Sequence, residues 1–107
     1  MHCYFLLTYT VADVGETNRS EDLASEVRRD IRKISDWDLV ENQETTFTGV
    51  ITVSDEKYQR EDDAKEQVTE KIKKILINRN ANKRNVRVYC TMMLEDTWGA
   101  FDFEVFV

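Results

Sequence analysis

Apolar and polar residues alternate from the third position onward, with Cys3, Phe5, Leu7, Tyr9 and Val11 set against Tyr4, Leu6, Thr8 and Thr10. A period of two predicts a strand with one strongly apolar face. Residues 12–19 are polar and read as a loop. Leu23, Val27, Ile31 and Ile34 then recur at helical spacing, which puts them on one face of a helix ending near Ile34 or Ser35. Asn18 and Glu21 stand at capping-box spacing, with Ser20 as a competing N-cap. Trp37, Leu39 and Val40 predict a short strand, and Phe47 to Val53 a β-branched one that completes a hairpin. Gly49 inside that strand marks a bulge or a close backbone approach. Ala64, Val68, Ile72, Ile75 and Leu76 form a second helical series, beginning between Asp55 and Arg60 and ending near Asn78. Val86 to Leu94 alternates again, and FDFEVFV closes the chain with Phe101, Phe103, Val105 and Val107 on one face.

This order predicts one α+β domain over residues 1–107, a ferredoxin-like βαββαβ sheet with two helices on one face and an extra C-terminal strand. If each helix runs antiparallel to one of two neighbouring parallel strands, the helix C-termini meet at one pole. Arg28, Arg29, Arg32 and Lys33 are then expected near Arg79, Lys83 and Arg84.

Charge sharpens that expectation. The chain carries a formal net charge of −6, yet the stretch from Lys71 to Arg87 holds seven cations and no acid. An acidic protein with one basic pole can hold phosphates there while its remainder limits indiscriminate binding to nucleic acid. The helix macrodipole offers a second explanation, because cations near helix C-termini stabilise by roughly 0.3–1 kcal/mol each.

The catalytic inventory is thin. The single histidine, His2, argues against Ser-His-Asp and Cys-His mechanisms, and Gly15, Gly49 and Gly99 are isolated, so no phosphate-cradling glycine loop occurs. Cys3 and Cys90 lie in apolar strand patterns without a CxxC and read as buried, reduced thiols. Asp13, Asp36 and Asp38 flank strand ends but read as loop and surface carboxylates, so neither metal nor cofactor is expected. The amino terminus lacks a secretory pattern and no run is long enough to span a bilayer, which predicts a cytoplasmic protein without a membrane partner.

The sheet face away from the helices is expected to show Tyr4, Leu6, Thr8, Val50, Thr52, Tyr89, Thr91 and Met93. It departs from an RNA-recognition sheet, which needs aromatics where Thr48 and Val50 stand. Burial against the last strand or across a homodimer fits it better.

The segments FLLTYTV, TFTGVITV and VRVYCTMMLEDTWGAFDF, with a helix after each of the first two, resemble the ferredoxin-like CRISPR adaptation nucleases and still more the GhoS-type antitoxins. The matching residues centre on Met92, Asp96, Trp98 and Phe101. The resemblance implies a small bacterial protein acting on RNA, either by binding alone or, if it is an enzyme, as a metal-independent endoribonuclease. The nucleases carry an aspartate directly after an aromatic at the end of the first strand. Here Thr10 follows Tyr9 and Asp13 comes later, which departs from the metal-dependent pattern. The rival reading is a non-enzymatic acidic module, an immunity protein or anti-defence inhibitor. It would meet a basic protein partner through Asp62, Asp63, Trp98, Asp102 and Glu104.

Overall fold

The computed structural model describes residues 1–97 and 99–107. Its elements are β1 (His2–Asp13), α1 (Asn18–Arg32), β2 (Asp38–Leu39), β3 (Thr46–Thr52), α2 (Arg60–Asn78), β4 (Val86–Leu94) and β5 (Phe101–Val105), with a 3-10 turn at Lys57–Gln59 leading into α2. The strands form one antiparallel sheet in the order β2-β3-β1-β4-β5. The chain is therefore α+β, with β1 central between β3 and β4.

The alternation seen in the sequence decides which face is covered. Cys3, Phe5, Leu7, Tyr9 and Val11 are buried, together with Val86, Val88, Cys90, Met92 and Leu94 from β4. They join Leu23, Val27 and Ile31 of α1 and Val68, Ile72 and Leu76 of α2 in one core. Each fully buried aliphatic contributes about 1.5–3 kcal/mol. Trp37 belongs to this core rather than to a strand: it meets Phe5 and Phe47 edge-on, with ring centroids 5.7 and 5.5 Å away. Gly49 is a close approach, since a Cβ there would lie 2.9 Å from Cε1 of Phe5.

Local chemistry moves two predicted boundaries. The N-cap of α1 is Thr17, not Asn18 or Ser20; its hydroxyl accepts from the Ser20 amide, and the Thr17 amide donates to the Ser20 hydroxyl. Ser20 occupies the third helical position, fully buried, where its side chain closes the box in place of a glutamate. Val107 is exposed, because β5 stops at Val105 and the Val107 carbonyl turns away to accept from the Lys83 amide at 2.8 Å.

The helix C-termini do not share a pole. The strands that precede the two helices, β1 and β3, are antiparallel, and each helix returns along its own strand, so the helices run in opposite directions. Two contacts fix the sense. Lys71, midway along α2, pairs with Asp36 beyond the end of α1. Asn78 and Arg79, at the end of α2, line a surface groove with Arg19, Asp22, Leu23 and Glu26 from the first nine residues of α1.

Candidate nucleic-acid interface

The expected basic cluster divides in two. Arg84 sits at the start of α1: a Cβ on Gly15 would be 2.8 Å from the Ser20 Cβ and 3.2 Å from the Arg84 carbonyl oxygen. From Ser20 to Arg32 the helix axis rises about 18 Å. Lys83 lies near this same starting end, where the Asn85 carbonyl receives the Val14 and Gly15 amides. Lys83 and Arg84 are therefore remote from the last turn of α1.

Arg79 is engaged elsewhere. Its Nε and Nη2 donate to the two carboxylate oxygens of Asp30 at 2.6 and 2.9 Å, and its Nη1 lies 3.6 Å from Glu26. The bidentate pair holds the Asp30 carboxyl below the usual carboxylate range and raises the guanidinium above its own. Lys71 on Asp36 and Arg87 on Glu104 are likewise paired. These cations hold elements together.

The other four stay together. Arg28, Arg29, Arg32 and Lys33 line a groove of about 510 Å³ between the later turns of α1 and the β2–β3 hairpin, closed by Tyr9, Leu39 and Glu44. Helical spacing brings Arg28, Arg29, Arg32 and Lys33 to one edge of α1, since residues three and four apart are neighbours. The hairpin wall is set by the Tyr9 amide donating to the Thr45 carbonyl and the Val40 amide to the Thr46 carbonyl. Arg28 is fixed in place, its Nη2 donating to the Val11 carbonyl at 2.9 Å.

Tyr9 is 2% exposed, and its hydroxyl donates to the Glu44 carbonyl at 3.4 Å. Burial pushes that hydroxyl above the usual tyrosine range, while nearby Arg32 pulls the other way. It remains a neutral donor at the bottom of a cationic groove. Glu44 is the one carboxylate among the described residues lining it. Such a site can hold an anion by charge and by hydrogen bonds from guanidinium and ammonium groups.

Sequence reasoning missed Tyr9, Leu39 and Glu44 as parts of the site. In sequence Tyr9 reads as part of the apolar face of β1, although a buried tyrosine carries a hydroxyl that must be satisfied. Leu39 and Glu44 entered only through tertiary pairing of the hairpin.

The residues of the rival protein-binding surface are dispersed. Asp62 and Asp63 lie in the first turn of α2, where the Asp63 carboxylate accepts from the Ser54 amide at 2.7 Å. Asp102 and Glu104 alternate with buried Phe103 and Val105, on the sheet face away from the helices. There Asp102 accepts from the Thr91 hydroxyl at 2.8 Å and Glu104 pairs with Arg87 at 2.9 Å. Trp98 falls outside the described residues.

That face is open. Tyr4 is 66% exposed, and Leu6, Val50, Tyr89 and Met93 are exposed beside it. Register pairs Tyr4 with Val50 and Leu6 with Met93, which makes the apolar patch contiguous.

Cys3 and Cys90 are both free and buried. Cys3 pairs across the sheet with Ile51 and Cys90 with Tyr9, so the thiols are not cross-strand partners. Burial pushes the Cys90 thiol up to about 12 and raises that of Cys3 as well. Asp13 accepts from the Glu16 amide and Asp36 pairs with Lys71, at separate places in the fold. Among the described residues no group of three or more His, Cys, Asp or Glu side chains is arranged to hold a metal ion. Nor is any described helix long and apolar enough to cross a membrane.

No family model matches the chain, and no curated protein and no solved structure matches it either.

Proposed function

We propose that the protein is an RNA-binding module of antitoxin type whose phosphate site is the groove along the later turns of α1. The observation that carries this reading is the convergence of Arg28, Arg29, Arg32 and Lys33 on one cavity, while Arg79, Lys71 and Arg87 are consumed by carboxylates. Macrodipole complementarity accounts for cations near a helix end, but it does not require a cavity or a buried hydroxyl between them. A ferredoxin-like topology is part of the same reading, supported by β1 lying antiparallel between β3 and β4 with β2 outside β3. β5 is then the extra C-terminal strand.

Binding rather than cleavage is what the groove chemistry favours. Burial keeps the Tyr9 hydroxyl protonated, and among the described residues Glu44 is the one lining carboxylate with which to take a proton from a 2′-hydroxyl. The test is a salt titration of single-stranded RNA affinity. Three or four phosphate contacts give a slope of log affinity against log salt of about −2 to −3, from ~0.7 per contact. Arg29→Glu with Arg32→Glu should remove binding. Unchanged affinity in that variant would sink the proposal.

The open sheet face favours a second reading, as a protein-binding surface. Its exposed Tyr4, Leu6, Val50 and Met93 are bordered by Asp38 on β2 and by Asp102 and Glu104 on β5. An apolar centre with an acidic rim fits a basic protein partner, or a second copy joined through this face or the free edge of β5. Sedimentation of the wild type and of Met93→Glu separates the cases. A dimer lost in the variant supports self-pairing, and a monomer in both leaves the face for a basic partner.

A further inference from the structure

The phosphate groove continues into a second cavity of about 460 Å³, formed by the turn of the β2–β3 hairpin. Arg32, Leu39 and Glu44 line both. Beyond that boundary the lining changes character, from the cations of α1 to Glu41, Asn42 and Gln43. The combined cleft is polarised: Arg28, Arg29 and Lys33 line only one end, Glu41, Asn42 and Gln43 only the other, with Arg32 and Glu44 at the boundary. At the hairpin end the carboxylates of Glu41 and Glu44 repel a purely anionic ligand, while the Asn42 and Gln43 amides can both donate and accept. The cleft suits a ligand with an anionic end and a hydrogen-bond-donating end, joined by a flat apolar middle.

A nucleotide unit of single-stranded RNA has that build. Its phosphate fits among Arg28, Arg29 and Lys33. Its base fits against Leu39, which is 37% exposed at the boundary, with the planar Arg32 guanidinium available to stack on it. The hairpin end then meets the base edge. An ionised carboxylate only accepts hydrogen bonds, so Glu41 and Glu44 favour bases that present donors. Guanine offers two parallel donors, N1–H and the exocyclic amino group, which match the two oxygens of one carboxylate. Adenine and cytosine offer one amino group. Uracil presents two carbonyl oxygens flanking its single N–H; these repel a carboxylate, and only Arg32 and the Asn42 and Gln43 amides can donate to them.

We infer that the hairpin end of the cleft is a base-selecting site that prefers guanine, accepts adenine and cytosine less well, and disfavours uracil. This rests on the RNA-binding reading of the groove and adds to it the identity of the base. A duplex cannot use the site, because its base edges are already paired.

The experiment compares a ten-nucleotide oligouridine with the same oligomer carrying one central guanosine, by fluorescence anisotropy at fixed salt. A bidentate base contact is worth about tenfold in discrimination, and the guanosine oligomer is expected to bind tighter by that factor. Glu44→Gln and Glu41→Gln are measured separately. Both side chains are exposed, so neither change threatens the fold. The preference should collapse in at least one of them, and oligouridine should still bind Glu41→Gln, whose side chain lines only the hairpin cavity. Equal affinity of the wild type for the two oligomers, or an undiminished preference in both variants, overturns the base-selecting site and leaves phosphate binding standing. If neither oligomer binds the wild type even at low salt, the phosphate reading itself fails.

Discussion

The two helices carry similar cations to opposite ends. On α1, Arg28, Arg29, Arg32 and Lys33 converge on a cavity, and one of them is anchored by a backbone carbonyl. At and after α2, Arg79 and Arg87 are locked to carboxylates, and Lys71 reaches Asp36. A count of charges cannot separate these groups, because both are runs of cations close together in sequence. The separation comes from what faces each cation across the fold. The last turn of α2 abuts the acidic outer edge of α1, whereas the last turn of α1 abuts a hairpin that leaves a gap.

The largest expected effect divides the groups by function. Reversing Arg29 and Arg32 to glutamate should weaken single-stranded RNA binding by at least about tenfold, given ~0.7 salt-slope units per phosphate contact. Thermal stability should move little, since surface substitutions usually stay within about 0.5 kcal/mol. An unfolded variant would move both residues into the structural class.

Asp30→Asn should do the reverse, lowering stability while leaving RNA affinity unchanged. Its sign with pH is fixed by the direction of the shift. The Asp30 carboxyl is held below its ordinary value, chiefly by the hydrogen bonds from Arg79. Its stabilisation is therefore present above the unfolded aspartate pKa of about 3.9 and disappears as pH falls through the lower folded value. Urea melts should show the variant less stable than wild type at pH 7, with the gap closing in strong acid. A gap that persists there would assign the loss to packing instead.

Arg28→Ala is expected to act on both sides, because Arg28 lines the groove and caps Val11. Affinity should fall, and stability should drop by about 1 kcal/mol for the carbonyl left without its charged donor. The smallest effect belongs to Lys83→Glu with Arg84→Glu. These residues lie about 18 Å along α1 from the groove's end, so RNA affinity should stay within about twofold once measured above 0.1 M salt. A loss as large as that of the Arg29 and Arg32 reversal would restore a single basic surface.

Much of this arrangement was legible in the chain, and what was not has a physical reason. Alternation in β1, β3 and β4 marked the buried and open faces residue by residue, because one face is dry and register is thereby forced. The apolar series on α1 and α2 did the same for the helices. Direction was the missing quantity. Helical periodicity says which face is apolar but nothing about whether two helices run together or opposed, and the common pole depended on that. Arg79 looked like a ligand-binding cation because its partners, Glu26 and Asp30, lie far back in sequence. The groove escaped for the complementary reason: Tyr9, Leu39 and Glu44 come from three separate elements, and only the hairpin's closure brings them to α1.

Pairing with β3 reaches only Thr8, with one more bond from the Tyr9 amide, whereas pairing with β4 continues to Asp13. The last residues of β1 are thus a ledge, zipped on one side and bare on the other, in the middle of an otherwise interior strand. Arg28 stands guard over that ledge through the Val11 carbonyl. An unguarded ledge of this kind is a docking rail for any extended peptide that can supply a strand. The arginine that lines the groove thus also occupies a carbonyl through which such a strand would pair.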